Sequence, residues 1–255
     1  MSEEILTAHD GDALIITFNR PDKKNAITGA MYTAMAEAVR SADDDDAVAA
    51  IIFASNGPVF TAGNDLQDFV ANPPGEGKSP VREFLEAISQ ANKPLLSAIQ
   101  GPAVGVGATM QLHCDYVVAA RSANLQFGFV KVGLVPEAAS SLLLPRIVGR
   151  LRASEIMFTG DPVEAEEAHT LGLVSKVVDD GDELEAAKAF AARLAKMAPQ
   201  ALAHTKALLK SETIGVPERM AEEGTIFAAQ LKGTEFMEAV GAFMQKREPV
   251  FRKTA

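Results

Sequence analysis

An α/β fold is what this sequence predicts, and two observations predict it. Through the first half, short β-branched runs alternate with segments of helical periodicity, and from Asp182 onward the pattern is almost wholly helical. At 255 residues and 27.0 kDa the chain can bury a core without disulfide or metal staples. Hydrophobic residues at 47% and charged residues at 23% exclude wholesale disorder, and with aromatics at 6% and no tryptophan the core must be aliphatic.

Taken in order, Ala13 to Phe18 reads as the first clear strand, and His9-Asp10-Gly11-Asp12 before it carries the Asp-Gly turn chemistry of an N-terminal hairpin. Thr28 opens a helix from about Met31 to Val39. Strands follow at Ala49 to Ala54 and Leu95 to Ile99, with the acidic run Asp43 to Asp46 as a solvated connection. The stretch from Asn72 to Lys78, dense in proline and glycine, is expected to be mobile. Ala-rich helical segments run from Asp182 to Met197 and Pro199 to Lys210, and a last one from Thr234 to Met244. The organisation expected is a core over residues 1–195 and a helical region over 196–255.

Charge and cysteine usage narrow the partners. Thirty-four acidic against 24 basic residues give a net charge of −10, which repels phosphate backbones and anionic lipid, so nucleic acid is not an expected partner. The first ten residues carry Glu3 and Glu4 and no apolar run, and no stretch approaches the roughly 20 apolar residues that cross a bilayer. With a single cysteine, Cys114, the expectation is a cytoplasmic protein with no membrane partner. His9, His113, His169 and His204 share no ligand spacing, so no metal is expected and these histidines read as structural.

Three loops place glycine or an isolated carboxylate where a strand gives way to a helix. Phe60 to Leu66 contains Gly63, which can turn consecutive N–H groups into a cavity; the bland alternative is a plain turn with Asp65 capping a helix. Gln100 to Thr109 opens a helix whose free N–H groups would stabilise an oxyanion or phosphate. It is not a dinucleotide fingerprint, because Met110 stands where the third glycine is needed. In the third, Glu137 follows Pro136 and precedes an apolar helix, Leu142 to Val148. A glutamate in a first helical turn is ordinarily a favourable charge, but buried by apolar walls it becomes a competent base.

Together these segments resemble the crotonase (enoyl-CoA hydratase/isomerase) superfamily, and most closely its peroxisomal-type Δ3,Δ2-enoyl-CoA isomerase branch. The matching pieces are Phe18 to Ile27, Ala62-Gly63-Asn64-Asp65-Leu66, Asn92-Lys93-Pro94, Gly101 to Gly105, and Pro136-Glu137 followed by Ser140-Ser141. The resemblance implies a spiral of ββα repeats, a C-terminal helical region that trimerises, and an acyl-CoA substrate with no separate cofactor. It also implies an oxyanion hole from the backbone N–H groups of Asn64 and Val106. Substrate-binding positions implied are Lys24, Ala26, Ala62, Gly63, Asp65, Leu66, Gly105, Thr109 and Phe129. For Lys23 and Lys24, two solvated lysines are the alternative to a phosphate contact. Lys246 and Arg247 resemble a closing segment whose basic residues could reach a CoA phosphate.

Hydratases of this family use two glutamates, and alignment of the loops puts Thr109 and Phe129 at those two positions. Glu137 falls where the isomerases carry a single catalytic glutamate, with Phe129 and Leu134 as expected walls. The resemblance therefore favours an enoyl-CoA isomerase. An enoyl-CoA hydratase, and a non-catalytic acyl-CoA-binding protein on the same scaffold, stay open as alternatives, as does a homotrimer against a dimer of trimers.

Overall fold

The computed structural model describes residues 3–65, 67–68, 79–211, 219–220, 224–227, 229 and 232–251. Its strands are β1 (Ile5–Asp10), β2 (Ala13–Phe18), β3 (Ala50–Ser55), β4 (Leu95–Ile99), β5 (Pro102–Val104), β6 (Tyr116–Ala120), β7 (Asn124–Gln126), β8 (Val163–Glu164) and β9 (Lys176–Val178). The helices used below are α1 (Gly29–Asp44), α2 (Pro80–Gln90), α3 (Val106–Thr109), α4 (Ser140–Val148), α5 (Arg150–Thr159), α6 (Ala165–Thr170), α7 (Glu183–Leu194), α8 (Pro199–Lys210) and α9 (Thr234–Gln245). The segment 72–78 and Leu66 lie outside the described residues.

The expected hairpin forms: β1 pairs antiparallel with β2 around Gly11, whose φ of +56° suits a tight turn. From β2 the main sheet runs β1-β2-β3-β4-β6-β9, and every pairing after the hairpin is parallel. Period-2 alternation divides the strand residues between two apolar layers. Leu14, Ile16, Phe18, Ile51, Phe53, Leu95 and Ile99 join Met31, Met35 and Val39 of α1, while Ala13, Ile15, Ala50, Ile52, Leu96 and Val118 meet Ala187 and Ala191 of α7. Burial on both faces is why these strands read as continuous apolar runs. A second sheet, β5-β7-β8, stands beside the first and carries the glycine-rich segment.

Helix α1 is longer than its sequence pattern suggests, because Thr28 Oγ1 accepts from Met31 N–H and the Asp68 carboxylate accepts from Gly29 N–H at 2.7 Å. Asp43, expected only as a solvated charge, accepts the N–H groups of Asn92 and Lys93 and so fastens the entry to β4. Helix α8 is attached through the buried Lys206, whose ammonium pairs with Asp115 at 2.8 Å and donates to the Lys93 carbonyl at 2.6 Å. Among the described residues no helix is long and apolar enough to cross a membrane.

Candidate active site

The site begins with a clasp. Lys24 and Asn25 take left-handed φ angles of 52° and 54°, closing the short turn Pro21–Lys23. That turn drives the Asn25 side chain into the interior, where it is fully buried. There Nδ2 donates to the carbonyls of Asn56 and Val59, and Oδ1 accepts from Arg20 N–H. Arg20 reaches across to Asp65 at 2.7 Å and to Glu4 at 2.8 Å. These contacts fix the loop 60–65 against the end of the main sheet.

Two loops then come side by side. Thr61 forms a parallel bridge with Ala103, which brings the loop of Asn64 beside the loop of Val106. The approach is close: a Cβ added to Gly63 would lie 3.0 Å from the Val104 carbonyl oxygen, and one added to Gly107 would lie 2.3 Å from the Thr61 methyl. In the first loop, Ala62 N–H donates to Lys24 O, Gly63 N–H to Thr61 Oγ1, and Asp65 N–H to Ile27 O. Among the described residues the Asn64 N–H has no acceptor within the chain. The second loop repeats the arrangement: Gly105 at φ +58° gives its N–H to Gln126 O, and the next N–H, that of the buried Val106, has no acceptor among the described residues. Val106 is buried and Asn64 half-buried, and two N–H groups left open on adjacent loops suit a ligand oxygen.

Glu137 completes the cluster. Its half-buried carboxylate accepts from Thr109 Oγ1 at 2.5 Å, and Thr109 stands one helical turn beyond Val106. Burial pushes the Glu137 carboxyl above the usual carboxylate range, and the Thr109 hydrogen bond opposes that shift in part. As the sequence reads, Glu137 precedes the apolar helix, α4. Ala138 and Ala139 intervene, both at φ +54°, a region that costs L-residues roughly 1–2 kcal/mol each. Such strain concentrates where geometry matters for function.

The remaining expected positions divide by what their groups already contact. Gly63 and Gly105 make the turns, and Thr109 meets Glu137. Half-buried Phe129 packs against the core. Ala26 is half-buried while Lys24, like Lys23, is exposed, and Ala62 is exposed with its N–H already used, leaving its carbonyl. Asp65 is committed to Arg20, a pairing that holds its carboxyl below the ordinary range, and it also caps the N–H groups of Gln67 and Asp68. Leu66 lies outside the described residues. Leu134, expected as a wall beside Glu137, is 53% exposed. Arg247 is already bidentate with Glu238, which is held down at about 2. Cys114 is inert, its thiol pushed up to about 12 by burial.

Tyr32 is the residue sequence reasoning missed. Only 3% exposed, it donates from its hydroxyl to Asn64 Oδ1 at 2.5 Å. Burial, with a lesser contribution from the nearby Glu137 carboxylate, raises its pKa well above the usual tyrosine value. A usable signal existed, since Tyr32 puts a hydroxyl among the apolar positions of α1, with Met31, Met35 and Ala36.

Comparison with known proteins bears on this geometry. Residues 10–254 match a family model described as enoyl-CoA hydratase/isomerase. The 1,2-epoxyphenylacetyl-CoA isomerase of Escherichia coli K12 is 32% identical over 98% of this chain and 99% of its own length. Enoyl-CoA delta isomerase 2 of Rattus norvegicus is 32% identical over 96% of this chain and 64% of its own length. A solved structure from Magnetospirillum magneticum AMB-1, described as an enoyl-CoA hydratase/carnithine racemase, superposes with a TM-score of 0.95 at 39% identity, covering 99% of this chain and 100% of that one.

Proposed function

Because the chain belongs to the enoyl-CoA hydratase/isomerase family, we propose that it is a Δ3,Δ2-enoyl-CoA isomerase in which Glu137 is the single base. The observation that carries this reading is the lone half-buried carboxylate of Glu137, joined through Thr109 to the helix whose first N–H, that of Val106, stands open. In this reading the thioester oxygen of a 3-enoyl-CoA sits between the N–H groups of Asn64 and Val106. Glu137 takes a proton from C2, and the electron pair moves onto the thioester oxygen as a dienolate. The double bond shifts to C2–C3, and the carboxylic acid returns its proton at C4. Atoms and charge balance without a second acid. Preorganised donors aimed at developing charge contribute on the order of several kcal/mol to such a step.

Thr109 and Phe129 occupy the positions where hydratases carry glutamates, so activating and protonating groups for water addition are lacking there. That absence supports double-bond transfer over hydration. Self-association as a homotrimer or dimer of trimers is part of the same proposal, supported by exposed Leu209, Phe236, Phe243 and Met244 on α8 and α9.

The test is a paired assay with 3-hexenoyl-CoA for isomerisation and 2-hexenoyl-CoA for hydration, repeated with Glu137→Gln. Isomerisation that is fast in the native protein and falls by about 10³-fold or more in the variant supports the reading. Fast hydration that survives the substitution rejects it.

A further inference from the structure

One segment, residues 106–113, touches the Glu137 turn twice. Thr109 donates to the carboxylate, and four residues on, the ring Nε2 of His113 lies 2.9 Å from the Ala138 carbonyl oxygen. Both contacts come from one short stretch, which runs from α3 directly into the 3-10 turn Met110–His113. The other hydrogen bonds described for this turn join it to α4, the helix that follows: Ser140 N–H and Oγ donate to the Glu137 carbonyl at 2.9 and 2.5 Å, and the N–H groups of Leu142 and Leu143 to the Ala139 carbonyl. Two successive alanines in the left-handed region, on a surface loop, need a further tie to stay where they are.

His113 suits that task. It is only 8% exposed, and its own carbonyl accepts from Lys210 Nζ of α8 at 3.4 Å, so it is braced from behind. A carbonyl oxygen accepts and never donates, which requires the hydrogen on Nε2.

We propose that His113 is a positioning residue for the reaction: with Thr109 it grips the Glu137–Ala138 unit at two points, so that the carboxylate stands at a fixed distance from the Val106 N–H on the same segment. The proposal rests on the reading of Glu137 as the base. Its job is geometry, and it touches no substrate.

The experiment compares His113→Leu with His113→Gln and adds two measurements on substrate-free protein. In His113→Leu, kcat for 3-hexenoyl-CoA isomerisation falls about tenfold to a hundredfold with KM little changed, the size expected of a reacting group misplaced by about 1 Å. His113→Gln, which restores a donor, recovers most of that loss. In carboxyl-¹³C-labelled protein the Glu137 titration moves to higher pH in His113→Leu as the Thr109 bond loosens. In the ¹⁵N-histidine-labelled native protein at pH 7, His113 carries its hydrogen on Nε2.

An Nδ1–H tautomer overturns the proposal, as does a His113→Leu variant with native kcat and native Glu137 titration. Should the leucine variant not fold, the native tautomer and the glutamine variant decide. Failure of the base assignment looks different: Glu137→Gln keeps full activity while the tautomer and the titration shift still appear as expected.

Discussion

Glu137 is a carboxylate whose surroundings work against its charge, and the pH behaviour follows from that. Proton abstraction requires the ionised form, so activity rises with pH through the Glu137 pKa, which burial has raised. The acid limb of kcat/KM is therefore expected above the ordinary carboxylate range. Thr109→Val removes the hydrogen bond by which Thr109 stabilises the carboxylate, so its limb moves to still higher pH. A pH–rate profile of both proteins checks the direction, and a limb that stays put or moves down contradicts it.

A second test at this scale concerns Tyr32. Its hydroxyl orients the Asn64 side chain from within the core, so Tyr32→Phe should lower kcat by about tenfold while KM and the folded structure change little. Steady-state kinetics with a circular dichroism melt separates that outcome from simple destabilisation. Asn64, Val106 and Glu137 were legible as candidates from glycine and proline placement together with a family resemblance. Tyr32 offered only a hydroxyl among the apolar positions of its helix and His113 read as structural, because their roles consist of contacts across 32 and 25 residues of sequence.

At the scale of elements, the strands are the most legible part. β2 and β4 fall where their apolar runs lie, since a strand buried on both faces advertises itself without competition. Helix starts are less so: α4 opens at Ser140, two residues before the expected Leu142, and directly after the left-handed Ala138 and Ala139, which no local signal announces. The contact of the two donor loops depends on glycine. Thr61 is buried and its hydroxyl is held by Asn25 O at 2.6 Å, so its methyl cannot swing aside for a new Cβ. Gly107→Ala should accordingly cost about 1–3 kcal/mol of stability by overpacking and lower kcat by spreading the loops. Urea unfolding beside kinetics measures both, and unchanged stability would mean the loops have more room than their separation allows.

For the whole molecule, α8 is held by a buried charge. Lys206 pairs with Asp115 next to β6, and Lys206→Ala removes that pair and the hydrogen bond to the Lys93 carbonyl; because Asp115 is exposed and still accepts from Leu95 N–H, the loss is expected to cost about 1–3 kcal/mol. Since Lys210 on the same helix braces His113, activity should decline with it before global unfolding. Thermal unfolding and activity measured against temperature test the order of events. The proposed trimer predicts a sedimenting species three times the 27.0 kDa chain, and a monomer at micromolar concentration would refute it.

The sequence by itself determined the α/β class, the hairpin, the apolar strands and the loops worth watching, because periodicity, turn chemistry and glycine are local properties of neighbouring residues. Only the tertiary structure decided which donors stay open, how far Glu137 is buried, and that Tyr32, Thr109 and His113 converge around it. Hydrogen-bond satisfaction and desolvation depend on what packs against a group from distant parts of the chain, and no run of neighbouring letters carries that information.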